Sequence, residues 1–152
     1  MKRLPFVLVA ALIGACAPTD NAADAAGDGT PADDTSAVNP RARVHIVQPV
    51  DGTEVQGPDV RVVLTAENIT IAPAGDPAPN TGHHHLFLNL ETVPEGQPIP
   101  AGMSGIIHLG QAQTEHTFTG LSPGEYTLIA VIGDLAHRVI QQDQDTVRFR
   151  VR

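Results

Sequence analysis

Leu121-Ser122-Pro123-Gly124-Glu125-Tyr126-Thr127-Leu128 is a turn that runs straight into a strand. Pro123-Gly124 supplies the turn, because proline fixes one dihedral and glycine accepts conformations other residues avoid. The apolar run continues through Ile129, Ala130, Val131 and Ile132, and a strand over Glu125 to Ile132 follows. Tyr126 is the only tyrosine in the chain. It stands at the mouth of a strand just after a turn, either as an ordinary strand tyrosine or with its hydroxyl returned to the backbone near the turn.

Other strands read outward from this one. Val44 to Val47 is a short strand closed by Pro49, Asp51 and Gly52, and Asp59 to Glu67 is a second. In the latter, Val60, Val62 and Leu64 alternate with Arg61, Val63 and Thr65. His83 to Leu90, Ile106 to Leu109, Thr114 to Thr119 and Thr146 to Val151 complete a set of seven short strands. No stretch sustains an apolar period of 3.6 residues, so helices are not expected. The turn, the leucine before it and the tyrosine after it resemble the tyrosine corner of immunoglobulin-like domains. The expected fold is all-β, an antiparallel immunoglobulin-like β-sandwich of about seven strands, with Glu125 to Asp134 as strand F.

The first forty residues are of another kind. Lys2 and Arg3 precede an apolar stretch, Leu4 to Ile13, that is too short for a membrane span of roughly 20 residues. Gly14, Ala15 and the sole cysteine, Cys16, follow. This run resembles a bacterial lipoprotein signal, which makes residues 1–15 a signal peptide and Cys16 the lipidated residue of the mature chain. Ala17 after the cysteine implies, by the same resemblance, the periplasmic side of the outer membrane. Residues 16–40 form the expected acidic tether, with five aspartates, no basic residue and no aromatic after the cysteine. The partner on this reading is the membrane, reached through the lipid anchor. One cysteine permits no intramolecular disulfide.

Residues 41–152 then make one β-sandwich domain. It carries 12 acidic and 7 basic residues, 7 − 12 = −5, within a chain of net charge −8. A basic stripe and a Gly-rich phosphate loop are both missing from the sequence, so nucleic acid is not an expected partner. The protein is expected to be a monomer.

Function turns on Gly82-His83-His84-His85-Leu86, which holds three of the seven histidines. In an extended chain His83 and His85 share one face, roughly 7 Å apart, while His84 lies in phase with Leu86 and Leu88. Neutral imidazole is the favoured nitrogen ligand for transition metals, so the His-x-His pair offers two teeth of a chelate. If Tyr126 opens strand F, the histidine triplet, His108 and His137 all arrive at one end of the sandwich. The expected ligands are therefore His83, His85, His108 and His137, with copper or zinc as the metal. His84, Glu115 and Asp134 are candidates to support the ligand rings from behind. His45 reads as structural, and His116, alternating with Phe118, as a cap on the core. Met103 falls in a Pro/Gly-rich loop that this topology sends to the opposite end. The alternative is a non-metal module, in which structural histidines and the Ala72-to-Gly82 loop shape a pocket for a small polar ligand or an envelope partner. No enzyme is expected, since no nucleophile or paired carboxylates stand out. The His-x-His strand is similar to that of copper/zinc superoxide dismutase, but the disulfide and other ligand segments of that family are missing.

Several blocks in order carry a further resemblance: Thr81 to Leu86, Pro98-Ile99-Pro100, His108-Leu109-Gly110, Gln113-Thr114-Glu115, Leu121 to Gly124 and Gly133 to His137. Together they resemble a bacterial exported family known only as domain of unknown function 4399, over roughly Val47 to the C-terminus. The resemblance implies a periplasmic or surface β-domain and supplies no activity. After His137 the chain departs from the family pattern. Arg138-Val139-Ile140-Gln141-Gln142 stands where a second histidine and a Pro-Pro are common.

Overall fold

The computed structural model describes residues 41–140 and 142–152. The expected signal peptide, the lipidation at Cys16 and the acidic tether lie outside the described residues. Ten strands and no helix appear among those described. They are β1 (Ala42–Gln48), β2 (Thr53–Val55), β3 (Val60–Glu67), β4 (Thr70–Ile71), β5 (Thr81–Leu88), β6 (Ile106–Leu109), β7 (Glu115–Phe118), β8 (Gly124–Gly133), β9 (Gln142–Asp143) and β10 (Asp145–Val151).

Alternation in the sequence becomes alternation in burial. Val60, Val62 and Leu64 of β3 are buried, as are Val147, Phe149 and Val151 of β10, while Arg61, Thr65, Arg148 and Arg150 face water. One sheet runs β7-β3-β1-β9. The other runs β2-β10-β8-β5-β4, with β6 sharing with β4 the far edge of β5. Side chains from both sheets, among them Val44, Leu64, Leu86, Leu128 and Phe149, form the main core between them.

The sheets are mixed rather than purely antiparallel, and they hold more than about seven strands. β2, β4 and β9 are the additions, each two or three residues long and each parallel to the longer strand it borders. Two or three residues cannot carry a period-two signal, which is why the sequence hides them. At the turn before β8, the Tyr126 hydroxyl donates to the Ser122 carbonyl at 2.9 Å, and the ring stacks on Phe149.

Strand β5 is buried on both faces through most of its length, as is the second half of β8 beside it. Leu86 enters the main core, whereas Phe87 belongs to a second cluster with Val131, Ile99 and Val139. That cluster lies on the outer face of the six-stranded sheet. Fully burying a side chain such as Phe87 stabilises by roughly 1.5–3 kcal/mol, and this is what draws the Pro/Gly-rich loop down over the sheet. Ile99 N–H donates to the His137 carbonyl at 2.8 Å, and Val139 N–H to that of Gln97 at 3.1 Å. The loop holding Met103 therefore crosses the face that bears the histidines and does not sit at the opposite end. Burial of Ile99, invisible as a long-range contact in the sequence, decides this.

Candidate metal centre

His83 and His85 project from the same face of β5, two residues apart, and alternate with Leu86 on the inner face. Antiparallel pairing sets His108 of β6 directly across from His85, and Gly133 of β8 across from His83. Beyond Gly133 the chain makes a tight turn. The Asp134 carboxylate accepts the Ala136 and Arg138 N–H groups, both at 2.8 Å, and His137 N–H donates to the Asp134 carbonyl at 2.9 Å. His137 itself takes φ 55°, a left-handed conformation uncommon outside glycine. That turn swings its imidazole back over the sheet.

The result is a knot of four rings. One ring nitrogen from each of His83, His85, His108 and His137 lies within 4.8 Å of all the others. Nε2 of His85 and Nε2 of His83 are 3.0 Å apart, and Nε2 of His137 and Nε2 of His108 are 3.2 Å apart. Nitrogens held at about 2.0–2.1 Å from one tetrahedral ion are separated by about 3.3 Å. The two close pairs thus already stand at the edge length of a single coordination shell. His83 and His85 are buried, His137 is half-buried and His108 is exposed, so the knot reaches the surface on one side.

Charge is excluded from its buried half. Burial first, and then the neighbouring imidazoles, together push His83 down to about 4 and His85 to about 3. Burial, then His137, lowers His108 too. Only Asp134 acts on His83 in the opposite sense. Neutral rings keep their lone pairs, which is the form a metal requires.

The sandwich resemblance puts the histidines together at one end and leaves open which surface they occupy. The structure puts them on the outer face of the six-stranded sheet, where β8 terminates, because strand side chains stand perpendicular to the sheet. Among the supporting candidates, Asp134 shapes the turn that carries His137. Glu115 does not approach the knot: it lies on β7 in the other sheet and pairs with Arg61 at 2.6 Å. His84 does not back a ligand ring either. It points into the main core with no exposed surface, and neither ring nitrogen has a hydrogen-bond partner. His85 Nδ1 is likewise buried without a partner. His45 sits 3.7 Å from Glu67, and His116 packs edge-on against Phe118, both away from the knot.

Two glycines that sequence reading passed over make room for the rings. A Cβ on Gly110 would fall 2.4 Å from Cε1 and 2.6 Å from Nε2 of His108, and one on Gly133 would fall 3.0 Å from Nε2 of His85. Gly110 was findable, since it stands two residues after His108, the spacing that shares a face on an extended chain. Gln142, also passed over, uses its side-chain amide as a piece of strand. It accepts from Ile132 N–H at 2.8 Å and donates to the Ile132 carbonyl at 3.0 Å.

The fold and the site define an all-β domain with a cysteine-free, four-histidine cluster compatible with a metal ion. Residues 62–152 match the sequence profile described as domain of unknown function (DUF4399), and the chain belongs to that family. The match begins somewhat later than Val47, where the sequence blocks place it. No curated protein matches the chain.

Proposed function

We propose that this protein is a lipid-anchored binding module of the cell envelope that holds one divalent transition-metal ion, copper or zinc, on His83, His85, His108 and His137. The observation that carries the reading is the convergence of four imidazole nitrogens within 4.8 Å of one another. Packing like groups together, two of them buried, has no stabilising logic of its own. Each buried ring forgoes hydration, and His85 leaves a nitrogen unpaired. A bound cation turns that arrangement into a favourable one, and imidazole suits both metals.

The role is binding, not catalysis. The finer fold reading is an immunoglobulin-like sandwich, supported by the bond from Tyr126 to the turn. Anchoring through Cys16 on the periplasmic side of the outer membrane rests on the sequence, and Cys16→Ser tests it. The variant should leave the membrane fraction, and retention there would refute lipidation.

The metal itself is tested by stripping the protein with chelator and titrating copper(II) and zinc separately by calorimetry. One equivalent of one of them should bind at micromolar affinity or better. Uptake no tighter than millimolar for both would refute the reading.

A further inference from the structure

A cavity of about 190 Å³ opens beside the histidine knot. His85, His108 and His137 form its floor, and Ile99, Pro100 and Ile106 supply apolar wall. At about 30 Å³ per water-sized group, it has room for about six such groups. The loop that roofs it is held in place through Ile99, which is 6% exposed and bonded by its N–H to the His137 carbonyl. Three ligand candidates thus line one preformed recess rather than open solvent.

Resting on the metal reading above, we propose that the loaded cluster takes one further ligand in this cavity, a small organic anion with a single donor group and a short apolar body. Charge sets the donor. Four neutral imidazoles leave the full double positive charge of the ion uncompensated within the shell. Asp134, the carboxylate that acts on His83, turns its Oδ1 to the backbone of its own turn and does not line the cavity. An anionic donor is drawn to that charge more strongly than a neutral one. Walls set the body. Ile99, Pro100 and Ile106 offer contact to methylenes and little to a second polar group. Zinc can expand from four ligands to five, and copper(II) favours tetragonal shells with room for an added ligand, so the four rings need not leave.

The experiment uses copper(II)-loaded protein, or cobalt(II) in its place if zinc proves to be the metal bound. Metal content is confirmed by elemental analysis before and after each titration. Acetate and butyrate are then titrated while the visible and electron paramagnetic spectra of the metal are followed. Both should perturb the spectra, with butyrate binding about tenfold tighter for its two extra buried methylenes. Ala101→Phe, a change at an exposed residue of the cavity rim, should abolish the preference for butyrate while metal content stays at one equivalent. Retained metal with unshifted spectra overturns the inference, as does equal affinity for the two anions. Failure to load any metal overturns the proposed function instead, and the two failures are read by different measurements.

Discussion

His108 stands directly across the β5–β6 ladder from His85, their rings stacked with centroids 4.9 Å apart and planes inclined by 24°. Each ring also meets His137, and each meets His83, so removing either one opens the cluster. His85→Ala and His108→Ala should each cut metal affinity by at least about a hundredfold, beyond what loss of an outer support usually costs. His45→Ala, away from the knot, should leave affinity unchanged. Calorimetry on the three variants decides it, and comparable losses in all of them would count against the ligand assignment. Circular dichroism should show all three folded, because the main core lies on the other face of β5.

A second test leaves every histidine in place. Gly110→Ala puts a methyl where the His108 ring now lies, and the exposed imidazole must swing away. Metal affinity should fall about tenfold or more, while unfolding stability changes by only about 0.5 kcal/mol, as for other surface changes. Unchanged affinity would show that His108 is not held by this contact.

Much of the fold was legible because the long strands obey period two. β3, β8 and β10 announce themselves through Val60-Val62-Leu64, Leu128-Ala130-Ile132 and Val147-Phe149-Val151. The ligand set was legible in identity for a related reason: His83 and His85 share a strand face, and the tyrosine turn fixed the direction of β8. Its cover was not. The rings project from a sheet face whose covering residues, Ile99 and Val139, are distant in sequence from β5. Glu115 misled because a carboxylate on the very next strand after His108 lies on the other sheet in space.

Acidity should release the metal. Burial, and after it the neighbouring imidazoles, hold His83 near 4 and His85 near 3, so protons compete weakly for these two ligands until well below the ordinary imidazole value. Their protonation is therefore expected to weaken binding steeply only as pH drops toward 4. Competition titrations between pH 7 and 4 read this directly. A midpoint of loss near 6.5 would mean that His83 and His85 do not keep the last hold on the ion.

His84 offers the sharpest test of the fold, because it is buried in the main core with both nitrogens unpaired. An unsatisfied buried polar group costs about 1–3 kcal/mol, and leucine has similar bulk without polar atoms. His84→Leu should therefore stabilise the metal-free protein by about that amount at pH 7, measured by urea unfolding. The pH dependence should change as well. Burial lowers His84 from 6.5 to about 4 in the folded state. Above pH 6.5 the ring is neutral folded or unfolded, and it contributes no slope. Between 6.5 and 4 only the unfolded chain takes up the proton, so stability declines as pH falls, by at most roughly 1.4 kcal/mol per pH unit for this one group. Below 4 both states are protonated and the slope disappears. In His84→Leu that part of the acid sensitivity should be missing, leaving the shares from the other histidines that burial lowers, His83, His85, His108 and His116. A variant that is less stable than wild type at pH 7, with an unaltered slope, would mean that His84 finds partners in solution and is not an orphan of the core.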